Sequence, residues 1–164
     1  MPKKVVLFLV PAVLIFVLHW FKEKPPEYTI EKPSGWHEFK KKEGAAQARI
    51  FFPPDPGASV SVITVHPIDR DLLGFADYME EQWQEKTGAP VGTRILDFTS
   101  RMDGGLPRLV REYAVDTDGQ TPQHMRFVYV KWKDRLYVVM GAYDDDSGHE
   151  TAVRGCLESF GFAD

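Results

Sequence analysis

From Val5 to Phe21 the chain reads VVLFLVPAVLIFVLHWF, 17 residues without a charged side chain, with Lys3 and Lys4 before it and Lys22 and Lys24 after it. As a helix this run is about 26 Å long, at the short end of what crosses a hydrocarbon core of roughly 30 Å. Pro11 removes one backbone donor and kinks such a helix, a defect that membrane segments tolerate. The residues that follow, HWFKEKPPEY, hold neither an A-x-A cleavage pattern nor a cysteine for lipidation. Residues 1–24 therefore read as an N-terminal transmembrane anchor or uncleaved signal. Lysines on both sides give the positive-inside rule little to act on. A basic region before an apolar run at the extreme N-terminus is nevertheless an export layout. The expectation is a single-pass inner (cytoplasmic) membrane protein whose remaining domain is extracytoplasmic.

The anchor also hides the charge of the rest. The whole chain has formal charge −4, but residues 25–164 hold 16 basic and 23 acidic residues, a net −7. A body this acidic argues against general nucleic-acid binding, which needs a basic field to displace counterions from phosphates. Cys156 has no second cysteine to pair with in the chain, so no internal disulfide framework exists. Residues 25–27 close a proline-stiffened linker, leaving 28–164 as one domain, large enough to bury roughly two-thirds of its unfolded surface.

Within that domain the hydrophobic pattern alternates between two periods. Strand-like runs occupy 28–32, 47–52, 58–65, 94–102, 108–115, 123–132 and 136–143, separated by proline, glycine and aspartate turns. A helical stripe of Leu72, Phe75, Ala76, Met79 and Trp83 lies within 69–87 and stops at Gly88 and Pro90. A second helix is expected from Ser147, where S-x-x-E with Glu150 matches a capping box, and carries Val153, Cys156, Leu157 and Phe160 on one stripe. Val128, Val130, Val138, Val139 and Met140 are apolar toward both faces of neighbouring strands, which calls for a helix on each side.

The opening Y-T-I-E-K-P-S-G-W (Tyr28 to Trp36), the mid-chain amphipathic helix, the late hairpin and the closing L-E-S-F (Leu157 to Phe160) together resemble PsbP-like and DcrB-like domains. The resemblance implies an α+β fold: an α/β/α sandwich with a central antiparallel sheet of six to seven strands and two main helices. Members of that group include an extrinsic subunit of the photosynthetic oxygen-evolving complex and bacterial envelope proteins, which share a scaffold and no common reaction. The resemblance therefore implies a non-catalytic accessory domain.

The densest polar cluster is Asp144, Asp145, Asp146, Ser147, Gly148, His149 and Glu150. Carboxylate oxygens suit hard cations, which makes Asp144, Asp145, Asp146 and His149 the candidate metal ligands. Three successive aspartates seldom converge on one ion, however, and carboxylates before a helix complement its dipole and cap its donors. His37, His66 and His124 are scattered, and Cys156 falls on an apolar stripe. No phosphate-binding glycine motif, nucleophile elbow or cofactor signature appears. Lys40, Lys41 and Lys42 read as a solvated loop, with lipid head groups as the alternative partner. Arg126 to Lys133 reads as core aromatics edged by solvated bases, with no nucleic-acid role. The expected function is a membrane-anchored, non-catalytic accessory or protein-binding domain of the cell envelope; a small-ligand or metal-binding sensor, using this loop or a helix–sheet cleft, is the alternative.

Overall fold

The computed structural model describes residues 27–43, 46–65, 70–88, 91–102, 105–116, 122–132 and 135–163. Among them no helix is long and apolar enough to cross a membrane; the anchor expected over Val5 to Phe21 lies outside the described residues.

Among the described residues, nine strands and two α-helices follow in the order β1 (Tyr28–Thr29), β2 (His37–Glu43), β3 (Ala46–Phe52), β4 (Ala58–Val65), α1 (Leu72–Thr87), β5 (Thr93–Arg101), β6 (Pro107–Val115), β7 (Gln123–Trp132), β8 (Arg135–Asp144), α2 (Glu150–Glu158) and β9 (Gly161–Phe162). Seven strands form one antiparallel sheet, ordered β2-β3-β4-β8-β7-β6-β5, and β1 pairs only with β9. The mixed α/β architecture expected from the sequence is present, with two differences. The opening strand is two residues long and stands outside the main sheet. The strand that takes its place, β2, contains Lys40, Lys41 and Lys42, read above as a loop. Apolar patterning could not reveal it, because an edge strand with lysines on both faces hides its period; such charges also block further pairing at a sheet edge.

The valine-rich centre behaves as its composition requires. Leu136, Val138 and Met140 of β8 face α1, together with Phe127 and Tyr129 of β7 and Phe75, Ala76 and Met79 of the helix. Tyr137 and Val139 of β8 face the other way with Val60, Val62, Val128 and Val130, against Val153, Cys156, Leu157 and Phe160. Each buried Val, Leu, Phe or Met among them contributes about 1.5–3 kcal/mol relative to exposure. Helix α1 starts where Asp71 Oδ1 accepts the Gly74 N–H at 2.7 Å, and it ends at Gly88, whose left-handed backbone (φ 72°) lets its N–H reach Gln84 O.

The register defines two ends of the sheet. The β2–β3, β5–β6 and β7–β8 hairpins all turn at one of them, where Glu43 pairs Ala46, Arg101 pairs Pro107 and Trp132 pairs Arg135. This hairpin end also receives the start of the domain, since Tyr28 packs edge-on against Tyr137 and Trp132 stacks on Phe162 of β9. The β3–β4 and β6–β7 connections and the loop from β8 to α2 lie at the opposite, distal end.

Helix α2 lies close to β8 at Gly141, where a Cβ would stand 2.5 Å from Val153 Cγ1 and 2.9 Å from Leu157 Cδ1. Gly141→Ala is expected to destabilise the domain by roughly 1–3 kcal/mol through overpacking. Gly155→Ala, on the same helix with open space at its Cβ, should be neutral or stabilising by up to about 1 kcal/mol through helix propensity. Urea denaturation of both variants measures the contrast.

Candidate functional site

Strand β6 reads PRLVREYAV, with two opposite charges side by side in an apolar setting. Successive side chains of a strand point to opposite faces, so Arg111 enters the α1 layer and Glu112 the α2 layer. Both are buried, with exposures of 1% and 3%. An ion in such a place needs partners to offset its desolvation, and each finds them on the helix of its own side.

On the α1 face, Arg111 Nη1 lies 2.5 Å from Glu80 Oε1 and 2.7 Å from Asp77 Oδ1, and its Nε is 3.3 Å from Asp97 Oδ2 on β5. Glu80 also accepts hydrogen bonds from the Tyr113 hydroxyl and from Arg94 Nη2. A bulge makes the last contact possible. Arg94 pairs Tyr113 while Leu96 pairs Glu112, so the extra residue, Ile95, puts Arg94 on the α1 side and Leu96 on the α2 side. Unbroken alternation would place both on one face. Burial works against the charge on Arg111, but Asp77, Glu80 and Asp97 more than offset it and its pKa is raised. Burial and the bond to Glu80 push the Tyr113 hydroxyl up, keeping it a donor.

On the α2 face, Arg154 holds Glu112 with two bonds, Nη2 to Oε1 at 2.7 Å and Nη1 to Oε2 at 3.2 Å, the planar fork that guanidinium and carboxylate share. Arg126 Nη1 adds a third at 3.4 Å. Arg154 also donates to Glu150 Oε1 at 2.7 Å and to the Tyr143 hydroxyl at 3.1 Å. His124 stacks on Tyr143, and its Nε2 lies 2.9 Å from Asp145 Oδ1.

The aspartate-rich loop is the candidate that the sequence singled out, and the structure sends its members to separate partners. Asp144 Oδ1 accepts from Gln123 Nε2 at 2.6 Å, Asp145 pairs with His124, and His149 Nε2 lies 3.2 Å from Asp55 Oδ2. Asp146 is exposed on a short 3-10 turn, Asp145–Ser147. Among the described residues no three His, Cys, Asp or Glu side chains gather where they could hold a metal ion. The expected capping box does not form: α2 begins at Glu150, Ser147 Oγ donates instead to Asp144 O at 2.7 Å, and Glu150 turns to Arg154. The tight turn at Gly148 places Ser147 too early in the chain to cap the helix. Arg126, read as a solvated base, is half-buried against Glu112.

Sequence reasoning missed Glu80, Arg111, Glu112 and Arg154. The available signal was the unbroken pair Arg111-Glu112 between Leu109-Val110 and Tyr113, since two charges inside an apolar strand must be paired on both faces. Chemically, both central carboxylates are saturated by guanidinium groups, so the arrangement fastens helices to the sheet. The cleft between α1 and the sheet narrows to a cavity of about 20 Å³ lined by Met79, Glu80, Trp83, Phe127, Tyr129 and Met140, room for about one water molecule. Cys156 lies on the buried face of α2, and burial pushes its thiol up to about 12.

Glu112→Ala leaves Arg154 and Arg126 facing a buried gap and should destabilise the domain by about 3–5 kcal/mol. Arg94→Ala, which removes a more exposed partner from a carboxylate that keeps Arg111, should cost under about 1 kcal/mol. Equilibrium denaturation distinguishes the two. Between pH 9 and 12 the native Cys156 thiol stays protonated while the unfolded one ionises, so the unfolded state binds fewer protons and stability falls as pH rises. Denaturation midpoints across this range should fall less steeply in Cys156→Ala than in the parent.

No family model matches the chain, and no curated protein matches it. Solved structures do. Cyanobacterial PsbP (CyanoP) from Synechocystis sp. PCC 6803 superposes with a TM-score of 0.64 at 14% identity, over 87% of this chain and 91% of its own. A protein from Bacteroides thetaiotaomicron VPI-5482 gives 0.51 at 11% identity, over 87% of this chain and 48% of its own. LpqN of Mycobacterium tuberculosis, involved in cell envelope biogenesis, gives 0.47 at 10% identity, over 84% and 82%. At these identities the likeness to PsbP is one of fold: the chain has a PsbP-like fold.

Proposed function

We propose that this chain is a membrane-anchored, non-catalytic accessory domain of the cell envelope that binds a protein partner. The observation that carries the reading is the engagement of Glu80 and Glu112 by Arg94, Arg111, Arg126 and Arg154. Groups so committed build a rigid scaffold and leave function to the surface. The PsbP-like fold supports this, as does the expectation attached to that resemblance. The partner surface we infer is the proline-rich loop of residues 53–57 at the distal end of the sheet. It is braced by Asp144 N–H donating to Gly57 O at 2.8 Å and by His149 against Asp55 and Trp36, and braced exposed loops present a preset shape.

Crosslinking of the intact protein in its native membrane, followed by capture, tests the proposal. A photoreactive residue at Asp146 should return a stoichiometric protein adduct and one at Lys86 should not. Recovery of the chain without any stoichiometric adduct contradicts partner binding.

A further inference from the structure

The two edges of the main sheet are built differently. At one, β2 carries Lys40, Lys41 and Lys42, charges that oppose pairing with a further strand. At the other stands β5, TRILDFTSR, where the large hydrophobic side chains Ile95 and Phe98 are exposed at 51% and 37%. Its charges do not guard the edge in the same way. Arg94 is drawn to Glu80 and Asp97, and Asp97 also to Arg111, so these side chains lie along the face that α1 covers.

The outward row of β5 follows from its hairpin. Met102 N–H donates inward to Leu106 O at 2.9 Å, and in an antiparallel pair the residues that bond their neighbour alternate. Ser100, Phe98 and Leu96 therefore bond β6, while the N–H and C=O groups of Arg101, Thr99 and Asp97 point away from it. The bulge between Arg94 and Leu96 lies outside this stretch. Side chains alternate too: Leu96, Phe98, Ser100 and Met102 take the α2 side, and Asp97, Thr99 and Arg101 the α1 side. Helix α2 packs on β8 and β4, which leaves Phe98 open on its own side.

This row is complementary to itself. In an antiparallel ladder with a two-fold axis at Thr99, Thr99 meets its own counterpart, Asp97 meets Arg101, Phe98 meets Ser100 and Leu96 meets Met102. Threonine pairs and opposite charges are among the pairs that stabilise neighbouring strands, and Phe98 comes diagonally beside its counterpart. Asp97 and Arg101 are the charged residues of the paired stretch, and no other centre within it sets them directly against each other. Centring on Asp97 or Arg101 brings like charges face to face.

We propose that β5 is a homodimer edge: two copies of this chain pair antiparallel along Asp97, Thr99 and Arg101, joining two seven-stranded sheets across a two-fold axis. The pairing needs neither the membrane anchor nor the loop 53–57, which stays open for a different partner.

The test follows the mass of the full chain in a mild detergent by sedimentation equilibrium. A wide concentration range is needed, because so short a ladder is smaller than a standard interface of about 1,600 Å². A monomer–dimer equilibrium is expected, with amide exchange at Asp97, Thr99 and Arg101 slowing as the dimer forms. Arg101→Asp, which sets carboxylates opposite each other, should weaken dimerisation about tenfold or more without moving the denaturation midpoint. Lys40→Glu, on the β2 edge, should leave the dimer unchanged. A short bifunctional thiol reagent should bridge two copies of Thr99→Cys far faster than two of Lys40→Cys. A chain that is monomeric at every concentration overturns the proposal. So does a dimer that survives Arg101→Asp, or one that is bridged as readily through Lys40→Cys as through Thr99→Cys.

Discussion

Two adjacent ions in one strand hold the layers of this molecule together. Arg111 and Glu112 are neighbours in β6, and the alternation of a strand sends them to opposite faces. Each is too deeply buried to keep its charge unaided. Arg111 takes Asp77 and Glu80 from α1, and Glu112 takes Arg154 from α2. The apolar clusters supply most of the stabilisation, but hydrophobic contact is indifferent to small rotations and shifts of a helix over a sheet. Charged bonds with fixed geometry are not, so β6 sets where both helices sit. The bulge at Ile95 belongs to the same device, because it turns Arg94 toward Glu80.

The parts of the fold that were legible in the sequence are those where period and burial agree. The apolar stripe of α1, the valine-rich strands β4, β7 and β8, and the stripe of α2 all follow from patterning, and each lies where its pattern requires. Patterning failed where another force decides. β2 is an edge strand whose lysines mask its alternation, and β1 owes its pairing to the chain's far end at β9. The start of α2 is fixed by a 3-10 turn closed at Gly148, which removed Ser147 from its expected capping position. The ion network escaped for a related reason. Its members are scattered over Asp77 to Arg154, and only the tertiary register of β5, β6 and β7 brings them together.

The site most conspicuous in sequence, the run Asp144 to Asp146, has its carboxylate Asp144 and Asp145 engaged by Gln123 and His124, which fasten the end of β8 to the start of β7. Its further effect is electrostatic: it lies at the distal end of the sheet with Asp55, Asp116 and Glu150. The interior charges of the scaffold are thus engaged in its own assembly.

The central claim is that β6 couples both faces of the sandwich, and native-state hydrogen exchange tests it most directly. The amides of Arg111 and Glu112 should exchange only through global unfolding, with free energies equal to the denaturation value, and protected amides of α1 and α2 should converge on that same value as denaturant is added. If β6 exchanges at the rate of the edge strand β5 while either helix stays protected, the two ions do not hold the layers together and the account is wrong.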